Sequence, residues 1–342
     1  MFEVSATLPT RVDLAGGTID LWPIHNVLPK SATVNVGIGL MASSTVKTLG
    51  GSQFRFTSLD QKQTWEGSYS QLQASGQLGL FGLLTSSIWS QELPPVSIET
   101  MAESPAGAGL GGSSALAVSI LSALNKLRSL IDKSFKPLSE DQIVNTAKDV
   151  ESLVIFAPTG IQDYWGAIRG GLNVIDYKFG STSVTTFDSS LLSESEYTLI
   201  ACYSGKSRAS AINNWEIFKR VFDRDEALIS KLVEIGTLAW ECGQSIKAGK
   251  IKDAIDFSRK EWLVRTKLWP NIHSPETKTL EEAAQKNGAI VSRVCGAGGG
   301  GVMGIFCAKD DQLRIEKALT ESGGALLKSK LGVQGKISVV NV

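Results

Sequence analysis

Ser104-Pro105-Ala106-Gly107-Ala108-Gly109-Leu110-Gly111-Gly112-Ser113-Ser114 runs without a charged residue straight into residues 115–130, a stretch apolar nearly all round. Such a run predicts a buried helix. The small residues in front of it carry no acid, so the free N–H groups of the helix start can point at an anion, and a phosphate fits there. The same glycines also suit a plain capping turn that needs them only for backbone geometry. Four glycines and two serines ahead of a buried helix weigh toward phosphate.

Working outward, Pro94-Pro95 precedes an alternating run, 96–101, that predicts a strand, and the first sixty residues are mostly sheet. Residues 3–8 end at Pro9, followed by β-rich runs at 33–47 and 54–59. On the other side, Ser139 and Gln142 form a capping box, and Ile143, Ala147, Val150 and Val154 repeat at helical spacing until Pro158. Gly170-Gly171 and an alternating run at 172–175 place a domain change there, giving domains 1–175 and 176–342. The second half is more helical. Leu228, Leu232, Ile235, Ala239, Cys242 and Ile246 make one long amphipathic helix, and Pro275 and Gly288 bracket another. Strands at 290–295 and 302–308, a helix at 311–322 and a closing strand at 337–340 complete an α+β order without strict βα alternation.

The 342 residues suit about two domains of ordinary size. Thirty-four basic residues balance 34 acidic ones with no block of like charge, which argues against nucleic acid or an anionic membrane as partner. No uninterrupted apolar run reaches the roughly eighteen residues of a membrane span. Four cysteines without a C-x-x-C pair, and two distant histidines, offer no metal cluster. The expectation is a cytoplasmic protein with free thiols, monomer or homodimer, acting on a small molecule.

Three further segments carry chemistry. Gly296-Ala297-Gly298-Gly299-Gly300-Gly301 lies between two β-like runs and predicts a bulged hairpin or a wall, with Gly298 and Gly299, against which a ligand or backbone comes close. Arg11-Val-Asp-Leu-Ala-Gly-Gly-Thr-Ile-Asp-Leu-Trp-Pro23 is expected to be a polar turn directly after a strand. There Gly17 allows close approach, Asp20 can accept hydroxyls and Trp22 offers a ring face. Asp163 falls in a Gly/Pro turn flanked by aromatics, where burial or a cation would tune it, whereas Glu151 sits at the border of a helix stripe, the usual place of a solvated acid. Gly107-x-Gly109-x-x-Gly112 formally matches a dinucleotide fingerprint, with Asp132 twenty residues on, but no alternating βαβ context surrounds it. Arg169, Lys206 and Arg208 suit a phosphate on a substrate, or equally a solvated surface.

Taken in order, the three glycine-bearing segments resemble the motifs of the GHMP kinase superfamily, from Arg11 to Gly301, with Pro105 to Ser114 the most specific part. Arg-Val-Asp-Leu-Ala-Gly-Gly-Thr-Ile-Asp is most similar to the sugar-kinase branch, which includes heptose-7-phosphate and fucose kinases. Gly160-Ile-Gln-Asp163 and Tyr203-Ser-Gly-Lys-Ser-Arg208 agree with it. The resemblance implies a ribosomal protein S5 domain 2-like N-terminal domain, a ferredoxin-like C-terminal domain, a site between them, ATP and Mg2+. It implies that Pro105, Gly107, Gly109, Leu110, Gly111, Gly112, Ser113 and Ser114 wrap the phosphates and that Ser114, or Ser113, holds the metal with Glu151. Asp163 and Arg11 take the catalytic places, and Asp20 contacts the substrate. Gly17-Thr18 stands where galactokinases carry Glu-His, which counts against galactose. The expected activity is phosphorylation of a sugar, sugar phosphate or cyclic polyol. A mevalonate-type kinase, a nicotinamide-dependent oxidoreductase and a non-catalytic sensor are the alternatives.

Overall fold

The opening strand runs well past Pro9. Strand β1 spans Phe2–Ala15 in the computed structural model, which describes residues 2–206, 211–268 and 270–341. A register shift between Pro9 and Thr10, against strand β2 (Ala32–Thr48), accommodates the residue that lacks an N–H. Arg11 and Asp13 therefore belong to a ladder, and the turn expected at Arg11 begins only at Gly16.

From β2 the chain continues through β3 (Phe54–Ser58), β4 (Gln63–Gly67), α1 (Gly79–Ile88), β5 (Val96–Ala102), α2 (Gly112–Ile131), α3 (Glu140–Ile155), α4 (Gln162–Arg169), β6 (Leu172–Lys178) and β7 (Ser181–Phe187). Next come α5 (Ser190–Ser193), β8 (Tyr197–Tyr203), α6 (Ala211–Phe222), α7 (Glu226–Lys247), α8 (Ile251–Arg265) and α9 (Pro275–Lys286). The chain closes with β9 (Val291–Val294), β10 (Val302–Ala308), α10 (Gln312–Glu321), β11 (Ala325–Leu326) and β12 (Lys336–Asn341).

Two sheets result. The first is mixed, with the order β12-β1-β2-β5-β3-β4, and β6 pairs with β2 and carries β7 outside it. Among the described residues only β3 and β5 run parallel. The second is antiparallel, in the order β11-β8-β10-β9. Sheet membership crosses the 175/176 division, since β7 and the last strand β12 both belong to the first sheet.

The long strands β1 and β2 serve two cores. Val4, Ala6 and Leu8 pack with α1 to α4, whereas Val12, Leu14, Val34 and Val36 pack with α7, α8 and the second sheet. Residues that hold functional groups sit where these cores meet. Helix α2 has the length and composition of a membrane span but is mostly buried inside the protein, which accounts for its apolarity. In α3 the capping box forms as predicted, and Ile143, Ala147 and Val150 are buried. Val154, expected on that stripe, is instead partly exposed, and Glu151 takes the inward place. The reason is local: α4 packs on that face and offers the Tyr164 hydroxyl to the Glu151 carboxylate at 2.6 Å.

Candidate active site

Helix α2 starts without a cap. Its N-cap is Gly111 in the left-handed region (φ 72°), no side chain accepts from the first turn, and that turn holds no acid. Gly107 and Gly109 also have positive φ, so the loop coils tightly before the helix. Twenty aligned peptide units end here with unpaired N–H groups, the arrangement that attracts a phosphate. Asp132, which the dinucleotide pattern would need near the loop, sits at the other end of α2, about 30 Å away by helical rise, bonded to Arg128 and Ser134.

Arg11 joins this loop to Asp163. Its backbone N–H donates to Leu110 O at 3.0 Å and its Nη1 to Gly109 O at 2.6 Å, while Nε donates to Asp163 Oδ1 at 2.8 Å and Nη2 to the same oxygen. Burial alone would lower the Arg11 pKa, but the charges of Asp163 and Asp13 more than reverse this and hold it cationic. Asp163 lies in the first turn of α4, not in a Gly/Pro turn; that turn precedes it at Pro158 to Gly160. A Cβ on Gly111 would stand 3.0 Å from the Asp163 carboxyl carbon, so only glycine lets the loop approach this closely. With Oδ1 taken by Arg11, Oδ2 is the oxygen nearer the loop.

Asp20 is buried beside them. Its Oδ2 accepts from Gln162 N at 3.1 Å, and a Cβ on Gly160 would collide with that oxygen, so the turn before α4 needs glycine to close over it. Burial, helped by the Asp163 charge, raises the Asp20 pKa to about 6. A buried amide chain steadies the start of α4: Asn35 Nδ2 donates to Gln162 O at 3.1 Å, and Asn173 Nδ2 donates to Asn35 Oδ1 at 3.1 Å.

Glu151 is buried and accepts at Oε2 from Ser114 Oγ at 2.8 Å and from Tyr164. Burial raises its pKa against the pull of these hydroxyls. A hydroxyl and a carboxylate thus meet one turn inside the anion-attracting end of α2, a hard-oxygen set that fits Mg2+ completed by phosphate oxygens and water. Among the described residues no three His, Cys, Asp or Glu side chains gather into a metal cluster, so the protein would supply only part of the shell.

Sequence reasoning missed the buried charge network behind Arg11. Asp13, fully buried, accepts from Arg265 Nη1 at 3.1 Å, from Arg293 Nη2 at 3.4 Å and from Gly296 N at 3.0 Å, with Arg11 Nη1 at 3.8 Å. Burial would raise the Asp13 pKa, but these three arginines hold it well below the usual carboxylate range. Glu261 receives Arg293 Nη1 at 2.9 Å and Gly16 N at 3.2 Å. Arg265 also donates to Gly296 O and, at 3.3 Å, to Thr18 Oγ1. Its guanidinium fills the space a Gly17 side chain would take. Alternating Arg and Asp in β1 was the available signal; partners more than 240 residues away were not.

The second glycine cluster is the turn between β9 and β10, and its glycines back onto protein. Gly301 packs on Ala108 O, Val302 N donates to that oxygen at 2.7 Å, Gly298 lies against Ile272, and Gly299 N donates to Ile272 O at 2.7 Å. It thereby braces the phosphate loop. Trp22, expected to offer a ring face, is 57% exposed, with Lys148 Nζ 6.0 Å from its ring centre. Arg169 pairs with Glu140 and Lys206 with Glu276, and Arg208 lies outside the described residues. Helix α6, not foreseen, grips the loop before α4: Trp215 Nε1 donates to Phe156 O at 2.9 Å and Asn214 Nδ2 to Pro158 O at 3.0 Å.

Two family models match in tandem, GHMP kinases N terminal domain over residues 80–171 and GHMP kinases C terminal over 267–325. The chain belongs to the GHMP kinase superfamily. The first match contains the phosphate loop, Glu151 and Asp163, and the second reaches through the glycine turn that braces it. This GHMP kinase is 23% identical to a D-glycero-alpha-D-manno-heptose 7-phosphate kinase of Campylobacter jejuni over 95% of both chains. It is 27% identical to a mevalonate kinase of Thermococcus onnurineus over 70% of its own length and 68% of that protein's. The crystal structure of a D-glycero-D-manno-heptose 1-phosphate kinase from Bacteroides thetaiotaomicron shares the fold, with a TM-score of 0.77, 19% identity and 99% of both chains covered. The α+β architecture of a mixed N-terminal sheet and an antiparallel C-terminal sheet is that of the superfamily. The protein is an ATP-dependent small-molecule kinase that phosphorylates an alcohol group.

Proposed function

We propose that this kinase transfers the γ-phosphate of ATP to a hydroxyl of a sugar, a sugar phosphate or a related cyclic polyol. The observation that carries the reading is the position of Asp163, pressed against Gly111 of the phosphate loop and electrostatically coupled to Asp20. A hydroxyl seated on Asp20 then lies between a proton acceptor and an anchored phosphate.

In the reaction the acceptor oxygen forms a bond to the γ-phosphorus as the bond to the β–γ bridging oxygen breaks, ADP leaves, and the hydroxyl proton passes to Asp163 Oδ2. Arg11 fixes the other oxygen and adds positive charge beside the loop where negative charge gathers. Ser114 and Glu151 would hold Mg2+, which when bound neutralises phosphate oxygens. The free N–H groups of α2 orient the chain of phosphates without moving.

The similarity to the heptose 7-phosphate kinase extends over almost the whole chain, which supports a sugar acceptor. The mevalonate kinase similarity covers 70% of it at slightly higher identity, so a mevalonate-type acceptor is the second reading. ADP release from Mg-ATP is the test, with hexoses, heptoses, their phosphates, inositols and mevalonate as acceptors. Turnover on a sugar or polyol supports the first reading, turnover on mevalonate alone the second, and no turnover on any acceptor removes both.

Asp20 gives a pH prediction. Its carboxylate is the hydroxyl-accepting form and loses its charge below about pH 6. The acceptor KM is expected to be flat well above neutrality and to rise about fivefold between pH 6 and pH 5, whereas Asp20→Asn should give a high, pH-independent KM. The same KM profile in both proteins would assign the titration to another group.

A further inference from the structure

Two fully buried asparagines stand in the strands that pack under α4. Asn35 lies between Val34 and Val36 on β2, Asn173 lies between Leu172 and Val174 on β6, and the two are directly opposite in the antiparallel ladder. Leucine in both places would bury as much apolar surface and need no partners, whereas an amide withdrawn from water must find its hydrogen bonds inside. The bonds they make lead to α4. Asn173 Nδ2 donates to Asn35 Oδ1 at 3.1 Å and to the carbonyl of Gly170, the C-cap of α4, at 2.8 Å. Asn35 Nδ2 donates at 3.1 Å to the carbonyl of Gln162, the first residue of that helix. Thr186 Oγ1 on β7 donates to Asn173 Oδ1 at 2.8 Å, which fixes the way the amide faces.

Helix α4 needs such anchors. Its eight residues are too few to hold a helix in place unaided, and its N-cap, Ile161, supplies no side-chain bond. Midway along it, a Cβ on Gly166 would stand 3.1 Å from Arg11 Cβ and Cγ and 3.3 Å from Asn35 Nδ2, so the helix backbone is seated directly on Arg11 and the asparagine. Asp163 follows Gln162 and meets both Arg11 and Gly111 from this seat. A shift of α4 therefore moves Asp163 relative to the phosphate loop.

We propose that Asn35 and Asn173 are positioning residues for phosphoryl transfer: by holding α4 at its start and its end, they keep Asp163 where it takes the acceptor proton. The inference rests on the role given to Asp163 above and adds two residues too buried to touch ATP or acceptor.

The test combines Asn35→Leu with Asn173→Leu in the full chain, because replacing both partners of a buried hydrogen bond by apolar groups of similar shape costs little stability. ADP release from Mg-ATP is measured with the sugars, sugar phosphates, inositols and mevalonate named above, beside Asp163→Asn. The double variant is expected to keep its Tm and its KM for ATP and to lose kcat by about tenfold to a hundredfold, the cost of displacing a reacting group by up to about 1 Å. Amide exchange read by mass spectrometry should quicken over residues 162–170 and stay as before in α2. Thr186→Val, a milder change that frees the Asn173 amide to turn, should lower kcat by a smaller factor and serves if the double variant fails to fold. A kcat within about threefold of the unmodified protein in the variant that folds overturns the proposal, and a slow Asp163→Asn beside it leaves the kinase reading standing. A loss of kcat that comes with a raised KM for ATP, or with faster exchange throughout the protein, assigns the asparagines to holding the fold together and also overturns it. Unimpaired turnover by Asp163→Asn, or no turnover on any acceptor, removes the reading of Asp163 and this inference with it.

Discussion

Asp163→Asn is expected to lower kcat by about 10^3-fold while ATP binds almost as before, in line with the 10^2–10^4 that a positioned proton acceptor contributes. Asparagine keeps the size of the side chain and can still accept from Arg11 through its carbonyl oxygen, so the contact made by Oδ1 survives. What disappears is the negative charge and the free oxygen that receives the hydroxyl proton. ATP binding should persist because its phosphates meet the uncapped turn of α2 and the loop ahead of it, none of which depends on the Asp163 charge. The readouts are single-turnover phosphoryl transfer and nucleotide affinity measured by fluorescence or calorimetry. Turnover within about threefold of the unmodified protein would mean that alignment alone carries the rate and that Asp163 takes no proton. A parallel loss of ATP affinity would recast it as a support for the phosphate loop, which Gly111 touches.

Elements whose pattern is local were legible in the sequence. The uncharged loop and apolar helix at 104–131, the capping box at Ser139, and the long stripe of α7 all formed close to where spacing put them, because propensity and burial agree there. Pro9 misled because a strand can pass a proline at a register shift, and the partner that absorbs the shift lies some thirty residues downstream. Glu151 invited a solvated reading because nothing nearby in sequence shows that Ser114 and Tyr164 converge on it. Gly298 and Gly299 illustrate a further limit. Glycine-rich sequence signals close approach without saying to what, and here the approach is to Ile272.

Asp13→Ala is expected to destabilise the protein by about 3–5 kcal/mol, the cost of leaving buried charges without their partner. Three arginines share that one carboxylate, and Arg11, Arg265 and Arg293 come from β1, α8 and β9, so the loss falls on the contact between the two sheets. Glu261 and Asp163 would remain, two carboxylates for three buried guanidinium groups. The Asp13 pKa is lowered in the folded protein, so its contribution is full above the unfolded carboxylate value and is lost only as pH falls through the folded one. The penalty should therefore be constant between about pH 5 and 9. Thermal unfolding read at both ends of that range should show a Tm lower by at least about 5 °C. Activity adds a second readout, because Arg11 holds both Asp163 and the phosphate loop and would be free to turn toward other acceptors. An unchanged Tm would show that water enters the network and solvates the arginines. A fourfold replacement, Asp13→Leu with Arg265→Met, Arg293→Met and Glu261→Gln, the last because Arg293 is the cation that faces buried Glu261 and glutamine still accepts from Gly16 N, separates charge from packing. Apolar side chains of similar volume often replace a buried ion cluster at little cost, so recovered stability without recovered kcat would assign the network to alignment of Arg11 more than to holding the fold together.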